Sequence, residues 1–215
     1  MADNNVSIIH SPLQKSYKIF LYKYYRMELI KMLGRTHMAV ALAATALLTK
    51  DPSQLPINLA VAAASSLLPD IDTPGSMLRH KLNKYTGALT FPALIAAGYF
   101  LFKYKYFLLL SLILYLTYIG LAFIGPHRGF THSLAGFLFF TFILFMSDRT
   151  ILPPALIGYT THLATDLFTP SGIPVLYPYN KSFKIPLVRT GSILDILIGL
   201  AFGLMFIAVL FQKFI

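Results

Sequence analysis

Residues 151–170 read I-L-P-P-A-L-I-G-Y-T-T-H-L-A-T-D-L-F-T-P. The apolar run over 151–168 has the length of a membrane-crossing helix, which takes about 17–25 residues. Two ionisable groups, His162 and Asp166, close it. They are four positions apart, so on a helix both side chains leave the same face. Imidazole and carboxylate at that spacing suit Zn, Mn or Fe. The competing reading is a hydrogen-bonded helix pair. A membrane helix that ends on a potential metal ligand pair is the pattern against which the rest of the chain is read.

Further apolar runs lie at 38–49, 55–68, 88–102, 106–125, 133–146 and 193–211. Of the seven, only those at 106–125, 151–168 and 193–211 reach spanning length. The first two are short and Ala-rich, and K-D-P-S-Q-L-P joins them as a tight hairpin or re-entrant pair. Their small side chains suit close helix packing in lipid. Only 12% of the 215 residues are charged and 56% are hydrophobic, whereas a soluble domain is about a quarter charged. The backbone must satisfy itself in hydrocarbon, so the fold class is all-α: a polytopic transmembrane helical bundle of short helices, with about five to seven membrane segments. No Cys is present, which excludes disulfides and thiolate ligands.

Residues 1–35 differ in kind. Lys15, Lys18, Lys23, Arg26, Lys31 and Arg35 alternate with Tyr17, Phe20, Tyr22, Tyr24 and Tyr25, as in an interfacial amphipathic segment or a disordered leader. The domain division is therefore this arm, 1–35, and a membrane-embedded unit, 36–215. Met27 and Met32 offer alternative starts to Met1. The net charge of +10 would suggest nucleic acid in a soluble protein, but here it sits between apolar runs. It reads instead as topology and contact with membrane lipids, with no nucleic-acid partner. With the N-terminus cytoplasmic and seven crossings, only Lys50, Lys103, Lys105, Arg149 and Lys213 of the 18 basic residues fall outside. That satisfies the positive-inside rule and predicts a multi-pass protein of the cell membrane.

The same topology gathers the chemistry on one side. His37 opens the first run in R-T-H, beside Arg35. Asp70 and Asp72 close the second in L-L-P-D-I-D-T-P-G. His127, Arg128 and His132 lie between the fourth and fifth in P-H-R-G-F-T-H-S. His162 and Asp166 close the sixth, and Asp195 opens the seventh. Each falls at the cytoplasmic end of its helix. Ionisable groups at membrane depth are costly unless paired or coordinated, so they are functional candidates. Taken singly, the Asp pair reads equally as helix capping around a Pro-Gly turn, and the two loop His as unrelated interfacial residues. Arg128 suits a phosphate oxygen. Thr36 and Ser133 are expected to cap the helices that follow them. His10 and His80, in basic surroundings without a carboxylate, read as surface residues. Y-P-Y at 177–179 and I-P-L at 185–187 read as an ordered interfacial loop over the site, where Lys181, Lys184 and Arg189 carry topology charge.

These motifs resemble the YdjM-like membrane-bound metal-dependent hydrolases. The matching pieces are T-H at 36–37, L-L-P-D-I-D-T-P at 67–74, H-R-G-F-T-H-S at 127–133, G-Y-T-T-H-L-A-T-D-L-F-T-P at 158–170 and G-S-x-x-D at 191–195. More remotely, their order is similar to zinc-dependent phospholipase C and P1-type nucleases. Those soluble enzymes use more His-rich ligand sets and an N-terminal amine, which this chain does not offer beside its motif. The resemblance implies metal ligands at His37, Asp70, His132, His162 and Asp166, holding one or two divalent ions, Zn first and Mn or Fe next. It implies a hydrolase in which Asp72 or His127 is a further ligand, a supporting partner or the general base. Arg128, with Arg35 and Asp195 as accessory candidates, completes the set. A lipid-like anionic substrate, a phosphoester, follows from location among headgroups. The rival readings are an ion or metal transporter, which predicts ligands near midplane on broken helices, and a membrane protein whose metal only pins helices together.

Overall fold

The computed structural model describes residues 34–106, 108–179 and 181–215. The basic arm expected over 1–35 lies outside these, except for its last two residues, and so does His10. The described residues are helical with one isolated bridge, Ile173 to Phe183, and form no named strand. The helices are α1 (34–48), α2 (Leu55–Leu67), α3 (Met77–Thr86), α4 (Thr90–Lys103), α5 (Leu109–Ile124), α6 (Leu134–Ser147), α7 (Leu152–Leu167) and α8 (Ile193–Phe214).

Local sequence explains most of the boundaries. Asp51 caps the turn that opens α2 by accepting from Ser53 N at 2.9 Å. Ser133 caps α6, as expected, by accepting from Gly136 N. Thr36 does not cap: it sits inside α1 and donates to Asp195 Oδ1 at 2.7 Å. The segment 69–87, between the apolar runs at 55–68 and 88–102, is structured. Pro69–Asp72 is a 3-10 turn and Met77–Thr86 is α3, capped by Ser76. Apolar periodicity cannot reveal α3, because basic and polar side chains dominate it and only Leu78 and Leu82 reach the core.

Two helical stretches are long and apolar enough to cross a membrane, Met77–Lys103 and Ile193–Phe214. The first is bent: Gly87 has φ +56° and breaks α3 from α4. The runs at 106–125 and 151–168 yield shorter helices than expected, of 16 residues each. The turn after α4, with Lys105 in the left-handed region at φ 65°, takes residues from the first. Thr169, whose hydroxyl bonds the Asp166 carbonyl at 2.8 Å, closes the second.

The main core joins Tyr118, Ile119 and Ala122 of α5, Phe140 and Ile143 of α6, Ala155 and Tyr159 of α7, and Ile71 and Phe130 from the intervening turns. A smaller cluster, Ala46, Leu55 and Val209, ties α1, α2 and α8. Helix α2 packs closely on α7. Gly158 makes it possible, since a Cβ there would lie 2.3 Å from the Ala62 carbonyl oxygen and 3.0 Å from Ser66 N. Gly158→Ala is therefore expected to lower stability by about 1–3 kcal/mol, as overpacking does. Gly203→Ala, with nothing within 4 Å, is expected to be neutral or slightly stabilising. Thermal unfolding of the two detergent-purified variants checks both.

Candidate metal centre

Four chain segments deliver the site to one end of the bundle. His37 comes from α1, Asp70 and Asp72 from the 3-10 turn after α2, His132 from the 3-10 turn before α6, and His162 and Asp166 from the last turns of α7. The side chains of His37, His132, His162 and Asp166 are fully buried, and Asp70 is 14% exposed.

Each ring is held by its Nδ1. His162 Nδ1 lies 2.7 Å from the Ser66 carbonyl, which can only accept, so Nδ1 carries the proton. The Thr131 hydroxyl donates to Asp72 Oδ2 at 2.9 Å and therefore accepts from His132 Nδ1 at 3.0 Å. The Thr165 hydroxyl has helix carbonyls of Thr161 and His162 at 2.9 Å to donate to, so it accepts from His37 Nδ1. All three Nε2 atoms are left as bare acceptors. They point inward: His132 Nε2 is 3.2 Å from His162 Nε2, 3.3 Å from Asp166 Oδ2 and 3.4 Å from Asp70 Oδ1. His37 stacks on His162 with ring centroids 4.0 Å apart, and its Nε2 is 3.5 Å from Asp166 Oδ1. His37 Nε2 and Asp166 Oδ2 are buried without a hydrogen-bond partner among the described residues.

Acceptors without protons between them repel unless positive charge sits among them. Three groups place one ligand atom per residue within 4.8 Å of one another: His37 with His162 and Asp166, Asp70 with His132 and His162, and Asp70 with Asp72 and His127. Nitrogen and oxygen donors on imidazole and carboxylate fit a divalent metal, and the bare buried atoms are where it would bind. The electrostatics agree. Burial alone would hold His132 neutral, but Asp166, Asp70 and Asp72 outweigh it and draw its pKa well above the usual imidazole range. The pocket thus calls for a cation, whether a proton or a metal ion.

Asp72 is saturated. It accepts from Arg128 N at 3.0 Å and Thr131 on one oxygen, and from Thr73 and His127 Nδ1, each at 3.0 Å, on the other. Burial would raise its pKa, but the contacts from His127 and His132 hold it well below the carboxylate range. Arg128 adopts φ 57°, a left-handed conformation uncommon for a side-chain-bearing residue, which turns its N–H onto Asp72. Its guanidinium donates to Asp166 Oδ1 at 2.8 Å, Thr169 Oγ1 at 2.9 Å and the Gly172 carbonyl at 2.8 Å. His127, with a side chain 47% exposed, stands at the mouth.

Two accessory candidates are not part of the cluster. Arg35 is exposed. Asp195 is buried in a separate corner, accepting from Thr36 and from Gly191 N at 2.8 Å. His80 is half-buried on α3. The loop 168–192 packs back onto the end of α7 through Ile185 N to the Leu167 carbonyl and Val188 N to the Phe168 carbonyl. The supporting groups Thr131, Thr165 and the Ser66 carbonyl escape sequence reading. So does Tyr159, whose hydroxyl donates to the Thr131 carbonyl at 2.5 Å and meets Tyr118 at 3.0 Å. Only the adjacency of Thr131 and Thr165 to ligands hints at a role.

The curated proteins similar to this chain include the inner membrane protein YdjM of Escherichia coli (strain K12), 36% identical over 69 residues, which cover 29% of this chain and 35% of that protein. The uncharacterized protein YvsG of Bacillus subtilis (strain 168) is 39% identical over 69 residues, covering 31% of this chain and 43% of that one. Each alignment thus spans less than half of the relative's length. No solved structure matches. The family model described as YdjM inner membrane protein matches residues 32–214, nearly the whole chain, and takes in every residue of the cluster. The chain belongs to the YdjM inner membrane protein family.

Proposed function

We propose that this protein is a membrane-bound metal-dependent hydrolase acting on a phosphoester of a lipid or lipid-linked substrate at the cytoplasmic face. One observation carries the reading: three imidazoles have their Nδ1 atoms committed to the protein, and their bare Nε2 atoms converge with Asp70 and Asp166. Such fixing of the second ring nitrogen sets the tautomer a metal needs. His37, Asp70, His132, His162 and Asp166 would hold one or two ions, Zn foremost, with Mn or Fe also suited to these donors. A bound divalent ion supplies an acidified water and stabilisation of phosphoryl charge.

The protein's own groups do the rest. Asp72 accepts from His127 Nδ1 and leaves His127 Nε2 as the acid–base atom at the mouth. Arg128 first holds Asp166 Oδ1, so that Oδ2 is left for the ion, and its remaining donors are available to phosphate oxygens. A lipid substrate is supported by the helical stretches long and apolar enough to cross a membrane and by the basic residues on the expected cytoplasmic side. One observation favours the structural rival: four of the five ligands have no exposed surface, as in a closed site. The exposure of Asp70 and His127 argues for an open one. The transporter reading has less support, because the ligands lie at helix ends and not on helices broken at mid-span.

Metal analysis of detergent-purified protein is expected to give at least one divalent ion per chain, and none bound stably in His162→Ala or Asp166→Ala. Equal metal content in all three would remove the proposal. With Zn or Mn supplied, hydrolysis of phosphatidate or a prenyl phosphate is expected in the wild type. His127→Gln is expected to keep its metal and lose about 10²–10⁴-fold in kcat. Metal without turnover on any phosphoester would favour the structural role.

A further inference from the structure

Helix α3 has no part in the cluster, yet it begins shortly after Asp72. It reads M-L-R-H-K-L-N-K-Y-T, with Arg79, Lys81 and Lys84 and no acidic residue. Leu78 and Leu82 pack on the main core, so the apolar side is already covered. Lys81, Lys84 and Tyr85 face outward, Tyr85 with 83% of its surface exposed. Arg79 pins the helix to the site: Nη1 donates to the Ile71 and Asp72 carbonyls, each at 3.2 Å, and the guanidinium lies 3.9 Å over the Phe123 ring.

The corner to α4 is built. Beside Gly87, Thr86 donates to the Leu82 carbonyl at 2.8 Å and Thr90 to Asn83 Oδ1 at 2.5 Å. Beyond it the character of the chain changes at once, since α4 carries no charge before Lys103. A basic helix ending in an exposed Tyr, joined at a fixed corner to an apolar helix, has the composition of a membrane–water boundary. Basic residues near a leaflet are drawn to anionic headgroups, an attraction that fades within a Debye length and weakens with salt.

We propose that α3 is a docking surface for anionic phospholipid headgroups, which fixes the mouth of the site at the leaflet surface. The inference goes beyond the catalytic reading and holds whether or not the centre turns over. Its partner is the charged leaflet, and the helix is expected to distinguish phosphatidylglycerol from phosphatidylcholine.

The chain has no Cys, so Tyr85→Cys creates one labelling position. The full-length protein carrying NBD at that position is placed in nanodiscs of phosphatidylcholine with increasing phosphatidylglycerol. The emission is expected to move to the blue as phosphatidylglycerol rises and to return in high salt. Lys81→Gln with Lys84→Gln in the same background is expected to raise the phosphatidylglycerol fraction at half-maximal shift by about twofold or more. Lys103→Gln with Lys105→Gln, at the other end of α4, is expected to leave it unchanged. Emission indifferent to phosphatidylglycerol in the unaltered background overturns the proposal, whatever the lysine variants do. So does a response as sensitive to Lys103 and Lys105 as to Lys81 and Lys84, which would reflect total charge and not α3.

Discussion

The hydrogen bond from His162 Nδ1 to the Ser66 carbonyl is the contact on which the arrangement turns. Ser66 lies in the last turn of α2, where carbonyls have run out of helical partners. His162 supplies a donor there and is oriented in the same act. The bond needs α2 and α7 to approach closely, and Gly158, one turn before His162, is where they do. A side chain at 158 would part the helices and release the ring. Packing and chemistry at this end of the bundle are therefore one constraint.

The other rings follow the same logic with different partners. Thr165 holds His37 across from α1, and Thr131 holds His132 while itself bonded to Asp72. Tyr159, anchored by Tyr118, holds the Thr131 carbonyl and links the loop before α6 to the core beneath it. Arg128 joins the two sides, with its backbone on Asp72 and its guanidinium on Asp166. Carboxylates this deeply buried are costly unless neutralised. The cluster answers with one guanidinium, and a cation among the bare nitrogens would supply the rest of the compensation.

Much of this is legible without the structure. The i, i+4 spacing of His162 and Asp166 requires only a helix, and the helix is evident from its apolar run. The meeting of Asp70, His132 and His37 with that pair follows from the expected alternation of helix direction, which brings every second connection to one side. What cannot be read is anything set by two distant backbones. The Ser66 carbonyl has no sequence signature, and Thr36, which reads as a cap, is instead a donor to Asp195, 159 residues away. Helix α3 reads as loop because its charge dominates and its two core leucines are too few to show a period. The 16-residue lengths of α5 and α7 are likewise hidden, because residues that fall outside them, such as Leu108, Ile151 and Phe168, are themselves apolar.

Helix length has a consequence for the bilayer. Helices α4 to α7 run 14 to 16 residues, about 21–24 Å of rise, whereas a hydrocarbon core is about 30 Å thick. Helix α8, at 22 residues, reaches about 33 Å. A bilayer crossed by helices this short would be compressed around them, and α8 would lean to remain within it. Such local thinning would bring the ester and phosphate level of the surrounding lipids down toward the buried end of α7. A headgroup could then meet the His and Asp cluster with its tails still in the membrane.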